Sequence, residues 1–226
     1  MCYYKQKVIA LQNKLKEMLI NEGVTDVGFC KPADGPLPYA LALVVRLSDA
    51  VVDEIDGKPT YTYFQHYRTV NAFIDRCILK AGLMLQGNGY KYIPIPASQS
   101  IPDKYYAGRY SHKKAAVLSH LGFIGKNSMF IHKQFGPRVR LGTLFTDCPF
   151  EVFSEIIESG CKNCDACVKA CPAGAISGAE WHEGIDRSEV FDPELCSNFM
   201  KKEFQHIGRG AVCGICMKVC RYSNEK

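Results

Sequence analysis

Cys161-Lys162-Asn163-Cys164-Asp165-Ala166-Cys167-Val168-Lys169-Ala170-Cys171-Pro172 is the stretch that decides how this chain is read. Its C-x2-C-x2-C-x3-C-P spacing is that of a protein holding two cubane 4Fe–4S clusters. The first three thiolates wrap one cluster, and Cys171, a helical turn further on, faces away and ligates the other. A second set is therefore required. Cys196 and the C-x2-C-x3-C group Cys213, Cys216 and Cys220 supply it. Crossed pairing assigns Cys161, Cys164, Cys167 and Cys220 to one cluster, and Cys171, Cys196, Cys213 and Cys216 to the other. Pro172 stops a helix at the cluster shell, and Arg221 stands where a proline often follows the last cysteine.

Other uses of so many cysteines fit poorly. A disulfide framework belongs to a short secreted chain, whereas this one has 226 residues. Its start, Met1-Cys2-Tyr3-Tyr4-Lys5, leads into an amphipathic helix rather than a secretion signal. Structural zinc needs separate tetrahedral sites, which the unbroken run crowds out. The twelve cysteines point to a reducing compartment, so a cytoplasmic protein is expected. The formal charge of +5 counts cysteines as neutral. Each four-thiolate cluster adds about −2, which brings the loaded protein near neutrality and removes any charge argument for nucleic acid. Apolar content of 47% is ordinary, and no run approaches the ~20 residues of a membrane span, so no membrane partner is expected.

A composition shift near residue 150 marks the expected boundary between an α+β cofactor and substrate domain, 1–150, and a double-cluster domain, 151–226. Val8, Ile9, Leu11, Leu15, Met18 and Leu19 form the apolar stripe of a first helix ended by Gly23. Strands are expected over 24–30 and 40–47. A helix follows from Val70 to Leu85, then a strand over 90–95. A helix over 112–120 is expected to end at the glycines of Leu121–Lys126, with strands over 128–131 and 139–146 closing the domain.

Three segments carry a family resemblance. They are Ser111-His112-Lys113-Lys114-Ala115-Ala116, Leu121-Gly122-Phe123-Ile124-Gly125-Lys126-Asn127-Ser128, and Gly136-Pro137-Arg138-Val139-Arg140-Leu141-Gly142-Thr143-Leu144-Phe145-Thr146-Asp147. Followed by the double-cluster run, they resemble the epoxyqueuosine reductases, closest to short relatives of that family. Tyr63–Asn71 is also similar, and the likeness covers about 60–220. It implies a nitroreductase-like, cobalamin-binding α+β domain followed by a ferredoxin-like domain, an arrangement shared with reductive dehalogenases. It also implies that electrons enter one cluster, pass to the other and reduce cobalt.

Under that resemblance Ser111, His112, Gly122, Gly125, Lys126, Asn127, Gly142 and Thr143 are candidate cofactor contacts. Glycines permit close backbone approach to a corrinoid face, and Lys126, Asn127 and Thr143 offer donors to its amides and phosphate. The plainer reading stands beside it: Gly122 and Gly125 end a helix, and Lys126 is a solvated charge. The six histidines, His66, His112, His120, His132, His182 and His206, show no metal-ligand spacing, and His112 is the one to test first. Cys2, Cys30, Cys77 and Cys148 read as buried structural thiols, and Asp147 as a cap.

Two departures from the family pattern bear on the substrate. The strand-exit segment Pro94-Ile95-Pro96-Ala97-Ser98-Gln99-Ser100 has no carboxylate where the family places its proton-donating aspartate. Asp103, Tyr105 and Tyr106 follow and are the candidate proton donors, since reductive dehalogenases resemble this design with a tyrosine. The chain also stops six residues after Cys220, before the helical-repeat region that grips tRNA in the family's tRNA-acting enzymes. A small molecule or the corrinoid itself is therefore the expected substrate, with an external ferredoxin or flavodoxin as electron donor. A corrinoid carrier and a plain electron-transfer module remain open. A flavin is less suited, because no basic cluster fits its phosphate.

Overall fold

The computed structural model describes residues 2–102, 104, 106–152 and 155–223, with side chains from Tyr4 onward. The Cys2 side chain therefore lies outside the described residues. In chain order the elements are α1 (Cys2–Asn21), β1 (Asp26–Cys30), β2 (Tyr39–Arg46), α2 (Asp49–Asp53), α3 (Tyr61–Gly87), β3 (Tyr92–Ile95), α4 (His112–Leu118), β4 (Gly122–Ile124), β5 (Phe130–His132), β6 (Val139–Thr146), α5 (Ala166–Ala170), α6 (Arg187–Val190), α7 (Pro193–Gly208) and α8 (Ile215–Lys218). The architecture is mixed α+β, as the patterning implies. The chain divides into two compact units, each drawn from three stretches.

The first unit takes 1–46, 70–121 and 140–156. Its sheet has the order β1-β2-β6-β3, with β1 antiparallel to β2 and β3 antiparallel to β6. The continuous apolar run Ala40–Val45 is buried at every position, so both faces of β2 are covered, which is why it does not alternate. Helix α1 lies on β1, and α4 lies on β1 and β2. Leu15 and Leu19 from α1 and Ile74, Ile78 and Leu85 from α3 are buried with Leu41, Leu43, Ile95, Leu144 and Phe145 of the sheet. Pro94 sits in β3 opposite Leu144. It is tolerated because β3 is an edge strand, where a missing N–H costs no interior ladder bond.

The second unit takes 47–69, 122–139 and 157–226. It holds α2, the β4–β5 hairpin and helices α5 to α8. Asp186 and Glu189 form a capping box on α6. Asp192 accepts from the amides of Glu194 and Leu195 to start α7, with Pro193 at its first position. Helix α5 ends at Ala170, as Pro172 demands.

One expected helix end is corrected. Helix α4 stops at Leu118 with Ser119 as its cap, and Gly122 opens strand β4 opposite His132. A Cβ on Gly122 would stand 2.0 Å from the Ile131 carbonyl oxygen, so the glycine serves strand pairing rather than helix termination. A gain over the sequence reading is that α3 begins at Tyr61, nine residues before the apolar stripe starts at Val70.

Small residues decide how α4 seats on the sheet. Gly28 pairs with Ala42, and a Cβ on Gly28 would lie 2.7 Å from Ser119 Cβ and 2.8 Å from the Ser119 carbonyl oxygen. Backbone cannot yield as a side chain can. Gly28→Ala should therefore destabilise the protein by ~1–3 kcal/mol, read from the denaturant midpoint. An unchanged midpoint would show that α4 seats elsewhere.

Candidate functional site

The eight candidate ligand cysteines lie in the second unit, and their surroundings sort them into two groups. Burial, and then the charges of Cys161, Cys167 and Cys164, push the Cys220 thiol up to about 11. Burial followed by Cys161 and Cys164 also raises Cys167. Cys196 is pushed up to about 11 by burial, then by Cys213 and Cys171. Cys216 is raised by burial and then by Cys213, Cys196 and Cys171, ahead of Cys167. These neighbour sets follow the crossed pairing, with Cys167 of the first group also within reach of Cys216.

The geometry of the first quartet agrees. Cys161, Cys164, Cys167 and Cys220 line one hollow. Cys161 and Cys220 are buried beside Phe123 and Ile131, with Ile157 and Tyr222 packed against them. Among the described residues no three His, Cys, Asp or Glu converge as ligands of a single metal ion. The raised thiol pKa values belong to uncomplexed cysteines, because bound iron deprotonates its ligands outright.

The loop 125–129 is built against these cysteines. Ser128 takes a left-handed conformation at φ 55°, and its amide closes onto the Gly125 carbonyl at 2.8 Å. A Cβ on Gly125 would lie 3.3 Å from Cys161 Sγ and 2.6 Å from Ile131 Cδ1. The Lys126 ammonium, on a side chain 8% exposed, sits 3.0 Å from Asp165 Oδ1. Lys126 also lines the cysteine hollow, as does Arg221. Hydrogen bonding to Asp165 holds the lysine pKa above its ordinary value. Asn127 Nδ2 donates to the Cys216 carbonyl at 3.3 Å, and Met129 Sδ lies 3.7 Å from Cys216 Sγ. Beyond Cys220, the Arg221 guanidinium lies over the Tyr222 ring and donates to the Gly160 carbonyl.

The remaining candidates sit in the first unit. Ser111 is the N-cap of α4 and accepts from the Lys114 amide at 3.3 Å. A Cβ on Gly142 would meet Ile74 Cγ2 at 2.6 Å, so this glycine faces the core. Thr143 is fully buried, with its hydroxyl 2.9 Å from His112 Nδ1. His112 Nε2 lies 3.0 Å from the Pro96 carbonyl. That carbonyl only accepts, so Nε2 carries the proton, and in the neutral ring Nδ1 accepts from Thr143. The structure thus divides the eight candidate contacts: Gly122, Gly125, Lys126 and Asn127 in the unit that holds the cysteines, Ser111, His112, Gly142 and Thr143 in the sheet unit. Of the candidate proton donors, Tyr106 is exposed with φ 45°, while Asp103 and Tyr105 lie outside the described residues.

Several contributors escaped the sequence reading. Asp75 of α3 accepts from the Ala97 amide at 2.9 Å, a second tether on the strand exit that His112 also holds. With Ile78, Leu79, Tyr92, Pro94, Ile95 and Pro96 it lines a cavity of about 440 Å³. Asp165 inside the cysteine run and Met129 in the loop were missed because their partners are distant in sequence. Among the histidines, His66 accepts from the Ser48 amide, and His132 Nδ1 accepts from the Gln134 amide. Cys30, Cys77 and Cys148 are buried, and Asp147 accepts from the Lys91 amide at the start of β3.

Two outcomes follow. Under crossed pairing, the double variant C164A/C220A should keep about half of the iron and sulfide, while C164A/C171A should keep almost none. Pairing in sequence order would reverse the two results. His112 is held neutral, first by burial and also by the Arg140 charge, although the Pro96 carbonyl and Asp75 oppose this. Its folded pKa lies below the unfolded one, so the unfolded chain binds the proton first as pH falls. The contribution is present above the unfolded pKa of about 6.5 and is lost toward lower pH. His112→Gln should flatten that part of the stability–pH curve, read by urea unfolding between pH 5 and 8.

Residues 160–223 match the 4Fe–4S double cluster binding domain. The epoxyqueuosine reductase of Listeria monocytogenes is 29% identical over 125 residues, 51% of this chain and 30% of that protein. A tetrachloroethene reductive dehalogenase of Desulfitobacterium hafniense is 32% identical over 123 residues, 48% of this chain and 21% of that protein. The chain thus spans under a third of the length of these curated relatives. A reductive dehalogenase structure solved for the mechanism of B12-dependent dehalogenation superposes with a TM-score of 0.75 at 19% identity, covering 94% of this chain and 31% of the other. No helix among the described residues is long and apolar enough to cross a membrane. Residues 160–223 are a double 4Fe–4S cluster domain, in a chain similar in sequence to epoxyqueuosine reductases and reductive dehalogenases and folded like the latter.

Proposed function

We propose that this chain is an iron–sulfur reductase that passes low-potential electrons to a bound corrinoid and acts on a small molecule or on the corrinoid itself. The observation that supports the reading is a double 4Fe–4S cluster domain over residues 160–223, in a chain similar to reductases of epoxyqueuosine and of tetrachloroethene. When bound, the clusters supply one-electron steps and the corrinoid a cobalt centre for the chemistry. The chain's own residues supply position and electrostatics. Gly125 lets Cys161 approach the loop, and Asp75 and His112 hold the strand exit beside the 440 Å³ cavity. That volume suits a small ligand, and the mostly apolar lining with one carboxylate is typical of such sites. The segment Pro94–Ser100 lacks a carboxylate, which favours a small molecule over epoxyqueuosine in tRNA. An external ferredoxin or flavodoxin in a reducing compartment is the electron source that fits.

A second reading is an electron-transfer module without an organic cofactor. It draws on the engagement of Gly125, Lys126 and Asn127 with the cysteine segments, which leaves fewer donors for a corrinoid. Anaerobic reconstitution with iron, sulfide and cobalamin separates the two. The first reading expects cobalamin to co-elute with the protein on gel filtration and its spectrum to change on reduction. Full cluster content with neither effect would overturn that reading in favour of the module.

A further inference from the structure

The loop Gly125–Met129 touches both cysteine quartets with different chemistry on each side. Toward the first it presents Gly125, against Cys161 Sγ, and the ammonium of Lys126 in the hollow that all four cysteines line. Toward the second it presents an amide and a thioether: Asn127 Nδ2 on the Cys216 carbonyl and Met129 Sδ beside Cys216 Sγ. This loop thus brings a formal cation to the first cluster site and neutral groups to the second, where the charge of Arg187 acts on Cys196 instead.

We infer that Lys126 is a positioning residue of the electron path, whose buried charge raises the reduction potential of the cluster at Cys161, Cys164, Cys167 and Cys220. Reduction adds one negative charge to a cluster, and a neighbouring cation stabilises the reduced form. The counter-charge on Asp165 does not cancel this. Its side chain is 46% exposed and screened by water, whereas that of Lys126 is 8% exposed, where a charge acts through a lower dielectric. The Asp165 contact also fixes the ammonium in one place and keeps it charged. Arg221 adds a second cation to the same hollow. A buried lysine would cost several kcal/mol if it had no compensating charge. A polyanionic cluster together with Asp165 supplies that compensation, which explains why a lysine is found there.

The inference rests on the two clusters and not on the corrinoid, so it survives if cobalamin fails to bind. Potentiometric titration of the reconstituted protein with dithionite, followed by electron paramagnetic resonance, tests it. Lys126→Gln should lower one midpoint and leave the other in place. At a fixed potential, the reduced-to-oxidised ratio of that cluster should fall about tenfold, about 59 mV for a one-electron couple. Lys126→Arg should restore the wild-type midpoint, and Lys169→Gln, an exposed lysine in the same segment, should move neither. Asp165→Asn should raise the midpoint that Lys126→Gln lowers. If Lys126→Gln fails to take up iron, the Asp165→Asn shift decides alone. Midpoints that stay put in Lys126→Gln and Asp165→Asn, or that move together, overturn the inference.

Discussion

Eight thiols from two stretches of chain must be brought into two groups, and most of the second unit follows from that constraint. Cys220 returns from the far end of the segment to pack beside Cys161. The short helices α5 and α8 lie against each other, with Cys167 of the first group on α5 and Cys216 of the second on α8. Helices this short are marginal alone, because a single turn fixes several dihedrals for few hydrogen bonds. Their order comes from tertiary contacts, and bound clusters would add folding free energy of their own.

Around the cysteines the chain spends charge and conformational freedom sparingly. Glycine appears at Gly125 where a thiol approaches, and Ser128 adopts a left-handed turn to close the loop. Lys218 and Arg138 meet at Asp53, and Arg138 also reaches Asp49, which ties α2 to the cluster helices within the same unit. Together the two cations hold the Asp53 carboxyl down at about 2, although its side chain is half exposed. In the sheet unit the corresponding device is the pair of tethers on the strand exit, His112 through the Pro96 carbonyl and Asp75 through the Ala97 amide. Both bonds use backbone groups that lie beyond the last ladder pair, at Ile95.

The cysteine spacing made the double-cluster domain legible at once, since ligand geometry acts over a few residues and leaves a local mark. The same is true of the apolar run in β2, the amphipathic α1 and the extent of β6. Gly122 was legible as a break and was assigned to the wrong element, because a glycine that allows close strand pairing looks in sequence like one that ends a helix. Lys126 could be read as a surface charge or as a cofactor ligand. Its partner Asp165 lies 39 residues away, and no local pattern announces such a pair.

By itself, the order of residues determined that a double-cluster domain is present, which cysteines are its candidate ligands, and that an α+β sheet unit accompanies it. These follow from short-range rules of spacing and periodicity. Tertiary structure alone decided that each compact unit is assembled from three separated stretches. It also decided that the glycine-lysine loop is spent on the cysteines, and that His112 and Asp75 converge on one strand exit. Those outcomes depend on burial and on contacts between residues far apart in the chain, where the free energy of a charge or a donor is set by what surrounds it.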